Sequence, residues 1–384
     1  MSVSIITVAN LGTKTNLKTP DILPVIETLA QRGELAQVIC QINTNFHFPH
    51  TYSAVPPLLR YSLRAAEKLS GFSFGRLYHM LSDYFVRLRL KTSDITLVHP
   101  PTRFEGAMRK AKKNGSITVG IATVAHPLLD QEIHSEEHRR FGSSSDAKSF
   151  KRMSALVEQF DYIIAISDFI KTSYVERGFS ADKIFVAYTG ISIPLVPERA
   201  HKSDTFKVLY VAYTNPRKGL PYLLDAWQEL KLPNAELVLV GKYSADVPEK
   251  LKEYCDNIIH SNSSIRWAGD TRDPAPYYKE ASIFVLPSLS EGNPRVVMEA
   301  MAHGLPVITT TNAQSVVENG KSGFVVPIRD VAALKEKIAY LYNHRDTAEK
   351  MGQEARKVME NKKPFGEAVF EISQEILRRE GKRH

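Results

Sequence analysis

Short runs rich in β-branched residues alternate with longer amphipathic stretches along almost the whole chain, and this rhythm limits the fold more than any other feature. In the first half the runs are "VSIITVAN", "AQVICQIN", "DITLVHP", "SITVGIATVAHP", "FDYIIAIS" and "KIFVAYTG". Uninterrupted apolar runs separated by helix-length segments belong to a parallel sheet covered on both faces. The rhythm stops at "SIPLVPERAHKSD", where Pro194 and Pro197 precede polar residues without apolar period. It restarts with "KVLYVAYT", "AELVLVG", "SIRWAG", "ASIFVLPS", "LPVITT" and "SGFVVP". The expected fold class is therefore α/β, with two doubly wound parallel-sheet domains, and ligands expected at the strands' carboxyl ends and between the domains. A chain of 384 residues is long enough for two full cores. We divide it into residues 1–196, 205–363 and a final segment 364–384, in which Phe365, Val369, Ile372, Ile376 and Leu377 keep a helical spacing and need a surface to dock on.

Composition narrows the function classes. No apolar run reaches the roughly 18 residues of a membrane-spanning helix, and "MSVSIITVANLG" has neither a basic start nor a small-residue cleavage site. A cytoplasmic protein is expected. Cys40 and Cys255 are too few for a disulfide framework or a zinc site. The net charge of +8 calls for an anionic partner. Much of it lies between Pro57 and Thr92, where Arg60, Arg64, Lys68, Arg76, Arg87, Arg89 and Lys91 face only Glu67 and Asp83, interleaved with leucines and aromatics. That mix fits an amphipathic segment lying on an anionic membrane surface, and equally a pair of helices packed on a core with a basic solvated face. No nucleic-acid motif accompanies it, so nucleic acid is not an expected partner.

The stretch "SLSEGNPRVVMEAMAHGLPVITT" holds Glu291 and Glu299, eight positions apart around a short helix. Asn293 is a plausible N-cap, Pro294 suits the first helical position and Gly304 the stop. Roughly nine residues give about 13 Å of helix. Its start follows a strand's carboxyl end, so free N–H groups and the positive dipole end form an anion site. Two carboxylates there can accept from hydroxyl pairs such as sugars and riboses supply; the alternative is a solvated face. In "NPRKGLPYLLDAW", Leu220, Leu223, Leu224 and Trp227 follow a helical period, which places Arg217 and Lys218 at that helix's entry. Cations there oppose the dipole unless an anion such as a diphosphate lies between; the alternative is a solvated loop pair. His126 in "ATVAHP" follows a buried strand, where strand-end loops build sites, and by itself reads equally as a structural histidine.

"EGNPRVVMEAMAHGLPVI" resembles the E-x7-E signature of the retaining glycosyltransferases of family 4, which have the GT-B fold of two facing Rossmann-like domains. "NPRKGLPYLLDAW" resembles that family's diphosphate-binding Lys-Gly turn. The likeness extends through "FDYIIAISDFIKTSYVERGFSADKIFVAYTGIS" and "SGFVVPIRDVAALKEKI", covering the chain from about Ile95 onward. The first ninety residues match only in their opening strand, the glycine-rich turn being reduced to Gly12. The resemblance implies that Glu291 contacts the donor sugar, that Glu299 holds the nucleotide ribose, and that Lys218 and the amides after Glu291 bind the diphosphate beside Asn293, Pro294 and Arg295. It places His126 beside the reacting sugar. Where the family has Gly-Arg, this chain has Val211-Ala212, and Arg217 stands in for the missing arginine.

The implied activity is transfer of a hexose from a UDP- or GDP-linked sugar to the hydroxyl of a saccharide or lipid-linked saccharide, with retention, in polysaccharide, lipopolysaccharide or glycolipid synthesis. The last helix is implied to pack back on the first domain. No D-x-D triplet occurs, so neither a divalent metal nor a resident cofactor is expected. His134 and His138 in "HSEEH" lack the metalloprotease spacing, and a solvated helical face accounts for them. The absence of G-x-G-x-x-G after the first strand and of a P-loop argues against nicotinamide and P-loop chemistry. The competing readings are an epimerase of the same fold and a non-catalytic nucleotide-sugar or nucleic-acid binding protein.

Overall fold

The computed structural model describes all residues except 8–9, 12–21, 41, 44–49, 57–58, 64, 66–74, 144–146, 192–203, 246 and 383–384. Gly12 and the expected boundary at Pro194 and Pro197 thus lie outside the described residues. The first half contains β1 (Val3–Thr7), β2 (Asn10–Leu11), β3 (Leu35–Cys40), β4 (Ile42–Asn43), β5 (Thr51–Ser53), β6 (Ile95–His99), β7 (Ile117–Ala122), β8 (Tyr162–Ala165) and β9 (Ile184–Val186). The second contains β10 (Phe206–Val211), β11 (Ala235–Val240), β12 (Ile265–Gly269), β13 (Ile283–Leu286), β14 (Val307–Thr310) and β15 (Gly323–Val326). Each long apolar run of the sequence is a strand. The two-residue strands β2 and β4, which pair with each other, and the edge strand β5 carry no periodic signal long enough to be read from sequence.

Two parallel sheets result, ordered β5-β3-β1-β6-β7-β8-β9 and β12-β11-β10-β13-β14-β15. In both, the strand order reverses direction beside the first long strand, between β1 and β6 and between β10 and β13. At such a reversal adjacent loops leave the sheet toward opposite faces and open a crevice at the carboxyl ends. β1, β6, β7, β8 and β13 are buried at every position, as strands with helices on both faces must be.

Each half has its own apolar core, and each core is completed by a helix from elsewhere in the chain. Ile133 and Phe141, from the first-half helix Pro127–Arg140 and its end, belong to the core of the second sheet. Phe365, Val369, Phe370, Ile376 and Leu377 of the terminal helix Phe365–Arg379 belong to the core of the first. That helix lies along Leu23–Gln31; Arg32 pairs with Glu367 at 2.5 Å and stacks over Phe370 at 4.2 Å. No helix among the described residues is long and apolar enough to cross a membrane.

Candidate functional site

β10 and β13 are neighbours, so the loops that follow them meet although Lys218 and Glu291 are 73 positions apart. After β10, the Asn215 carboxamide oxygen accepts from Arg217 N–H (3.0 Å) and sets a single 3₁₀ turn, Pro216–Lys218. Gly219 then adopts φ +68°, where a Cβ would lie 2.0 Å from the Pro287 carbonyl oxygen. Only glycine passes that point, and its passage presses the Lys218 turn onto the loop after β13. Leu289 N–H donates to Arg217 O at 2.7 Å, the Arg217 guanidinium donates to Ser290 O at 3.3 Å, and the Lys218 ammonium donates to the Glu291 carboxylate. Burial alone would push the Glu291 carboxyl up; the charges of Lys218 and Arg217 overcome it and hold the group below its ordinary value. The anion that two cations at a helix entry call for is thus supplied within the chain.

The following helix spans Arg295–Ala302, with Pro294 at the cap position and Gly304 in the left-handed conformation (φ +71°) past its end. Asn293 is not the N-cap expected from sequence. Its side-chain amide donates to the hydroxyl (2.8 Å) and carbonyl (3.1 Å) of Thr189, and Ser315 donates to its oxygen. A carboxamide that makes three bonds to other segments is unavailable to the helix start. The amides of Arg295 and Val296 meet no acceptor among the described residues, as expected of the first turn of a helix.

Glu299 is half-buried and has partners. It accepts from the Tyr278 hydroxyl at 3.1 Å and lies 4.0 Å from Arg295 Nε. Burial and then the Glu299 charge drive the Tyr278 hydroxyl well above its ordinary pKa, so it remains a donor, and its ring stacks on His303 at 5.1 Å.

On the first half, His126 follows β7 and caps the helix Pro127–Arg140. Its Nδ1 accepts from Leu128 N–H at 3.3 Å, its own N–H donates to Ser173 Oγ at 2.9 Å, and its ring meets Tyr174 edge to face at 5.1 Å. Burial, and secondarily Arg177, hold its pKa below the ordinary value. The imidazole is therefore neutral at pH 7, with its proton on Nε2. The two halves touch here: a Cβ on Gly292 would lie 2.1 Å from the Thr123 carbonyl oxygen, and Ser290 Oγ donates to Asp130 at 2.8 Å. The loop carrying Glu291 is thereby pressed against the turn that leads to His126.

The structure thus gathers Arg217, Lys218, Glu291 and Asn293 at one seam, with His126 on the facing loop and Glu299 farther along the helix. Sequence reasoning missed Thr189, Ser290, Asp130 and Tyr278, whose roles depend on contacts between segments that no local pattern marks. It also missed Tyr243, whose ring lies 4.9 Å from that of Trp267 at the ends of β11 and β12, where Trp267 Nε1 donates to Gly241 O at 3.1 Å. His134 and His138 are half-buried rather than solvated; their rings stack at 6.1 Å, and His138 bonds Ser143 Oγ at 2.6 Å, because this helix face packs on Ala147–Val157. A cavity of about 610 Å³ in the first half, lined by Tyr78, His79, Arg103, Phe104 and Arg152 among others, contains none of the anticipated residues.

Residues 205–344 match the family model for glycosyl transferases group 1. An uncharacterized glycosyltransferase of Haemophilus influenzae is 29% identical over 206 residues, 52% of this chain and 57% of that protein. The capsular polysaccharide biosynthesis glycosyltransferase CapM of Staphylococcus aureus is 31% identical over 218 residues, with the same coverage of 52% and 57%. The chain thus matches somewhat more than half the length of these relatives. Among solved structures, Anabaena HepE in complex with UDP and glucose superposes with a TM-score of 0.65 at 17% identity, covering 98% of this chain and 99% of that one. Two facing parallel sheets and a terminal helix returned to the first of them give this chain the GT-B fold, and the second half, through residues 205–344, matches the glycosyl transferases group 1 family.

Proposed function

We propose that the protein transfers a hexose from a nucleoside diphosphate sugar to an acceptor hydroxyl in the synthesis of a surface polysaccharide or glycolipid. The observation that carries this reading is the Lys218–Glu291 ion pair, set at the strand-order reversal and pressed against the His126 turn. An incoming diphosphate competes with Glu291 for Lys218 and Arg217. Once displaced, the ionised carboxylate is left to accept from the hydroxyls of the donor sugar, so donor binding exchanges one charge pair for another instead of desolvating a lone cation. Glu299 would accept from the ribose hydroxyls opposite Tyr278, and the free amides of Arg295 and Val296 would face the phosphates. The Tyr243–Trp267 pair, its rings tilted by 33°, offers an aromatic wall for a base. These assignments draw on the UDP and glucose held by HepE and on the names of the relatives.

In the transfer itself the bond from the anomeric carbon to the donor phosphate oxygen breaks, and a bond from the acceptor oxygen to that carbon forms. The leaving phosphate takes the acceptor proton, on the same face and therefore with retention. His126 Nε2–H donates to the sugar, and Lys218, Arg217 and the helix start stabilise the departing charge without a divalent ion. Incubation with a panel of UDP-, GDP- and dTDP-sugars, measuring free nucleotide, tests the activity. Lys218→Ala and Glu299→Ala are each expected to weaken nucleotide affinity at least tenfold; unchanged affinity in both removes the donor-site assignment. Product formation from the donor alone, without acceptor, would instead favour an epimerase.

A further inference from the structure

The helix Gly75–Arg89 carries apolar side chains on two faces, and the fold uses only one. Inward, Ser82, Val86 and the adjoining Leu90 are buried, and Asp83 accepts from the Gly106 (3.1 Å) and Ala107 (2.9 Å) amides of the neighbouring helix Glu105–Lys113. Outward, Leu77, Met80, Tyr84 and Leu88 are 41, 71, 47 and 61% exposed. At about 100° per residue these four fall within an arc of about 80°, opposite the buried face. A face that only meets water is normally charged.

Beside the stripe runs a groove of about 420 Å³, lined by Tyr84, Leu88, Arg87, Arg109, Lys110 and Lys113. Arg109 is paired with Glu105 at 2.6 Å, and Arg87 lies 3.8 Å from Asp83. Lys110 is held by a backbone carbonyl alone, and Lys113 makes no ion pair among the described residues. Arg60, counted among the membrane-facing cations in the sequence, is buried under Tyr61, and Arg89 donates to Ser53 O. The residues that face outward are therefore a subset of the basic segment, joined by lysines of a helix the sequence did not connect with it.

We infer that this face docks on an anionic lipid surface. Leu77, Met80, Tyr84 and Leu88 enter the boundary between headgroups and acyl chains, while Lys110 and Lys113 meet lipid phosphates. A single-file stripe on a convex helix is too narrow for the roughly 800 Å² per partner of a stable protein interface, but suits a planar layer that yields around each side chain. The inference does not depend on the transfer reaction.

The test is co-sedimentation of the full chain with vesicles of phosphatidylcholine, alone and mixed with phosphatidylglycerol. Binding is expected to the mixed vesicles at low salt, to fall at least fivefold when salt is raised to physiological strength, and to be slight on phosphatidylcholine alone. Met80→Glu with Leu88→Glu, at exposed positions that leave the melting temperature unchanged, is expected to abolish it; Lys110→Glu with Lys113→Glu is expected to weaken it and flatten its salt dependence. A tryptophan replacing Tyr84 should shift its emission to the blue on mixed vesicles whether or not the double variants fold. Absence of binding at low salt, binding undiminished in Met80→Glu with Leu88→Glu, or a dimer that this double variant dissolves would each overturn the inference. None of these outcomes touches nucleotide release, so the two readings fail separately.

Discussion

His126 serves two masters, and a single substitution separates them. As N-cap it satisfies the Leu128 amide, a role asparagine performs as well and alanine does not. His126→Ala is expected to cost about 0.5–2 kcal/mol of stability and His126→Asn little, measured by denaturant unfolding, while both lose turnover if the Nε2 proton is used in the reaction. Full activity in His126→Asn would reduce the residue to its cap. Glu291 poses the complementary question. A carboxyl held below its ordinary value adds stability that is complete above the usual carboxylate pKa near 4.5 and is lost as the pH falls through the lower folded-state value. Glu291→Gln leaves Lys218 without a charge partner in a mostly buried seam and is expected to lower stability by about 1–3 kcal/mol at pH 7. Melting curves of the two proteins should converge as the pH falls through the lowered folded-state value, and a gap independent of pH would refute the pairing.

At the scale of elements, the helix Pro127–Arg140 joins the halves. Glu137, buried on its inner face, accepts from the Tyr222 hydroxyl at 2.9 Å and from Arg329 Nε at 2.8 Å, both on the second half. Arg140 stacks over Tyr222 at 4.6 Å, and Ile133 and Phe141 enter the second core. One end of this helix is His126 and the other is anchored across the seam, so any rotation of the halves moves His126 relative to Glu291. Glu137→Ala leaves the buried Tyr222 hydroxyl without its acceptor and Arg329 with only the exposed Glu136, 3.0 Å away, and is expected to cost about 1–3 kcal/mol, with the single melting transition splitting into two as coupling between the halves weakens. A uniform, single-transition shift would place the effect within one half.

For the whole molecule, the first half depends on a helix from the far end of the chain. Five apolar side chains of Phe365–Arg379 are buried in the first core, each contributing about 1.5–3 kcal/mol, together about as much as the entire net stability of a domain, which is about 5–15 kcal/mol. Deleting residues 365–384 is expected to abolish the cooperative unfolding of the first half while the second, whose core draws nothing from that helix, keeps its own transition by differential scanning calorimetry. Cooperative melting of both halves after the deletion would show that the first half is self-sufficient.

The strands, their burial on both faces and the amphipathic terminal helix were legible in the sequence, because periodicity reports local backbone geometry and needs only a few neighbouring residues. So were Lys218 and Glu291, each beside a glycine or proline that marks a turn at a strand end. What tertiary structure alone decided is which charges meet. Glu291 takes Lys218 because β10 lies next to β13, Asn293 leaves its cap because Thr189 lies opposite, and Leu77 to Leu88 face outward because the helix spends its other face on the core. Such pairings are set by strand order and by the facing of halves, which bring together groups tens to hundreds of positions apart, and no run of neighbouring residues encodes that distance.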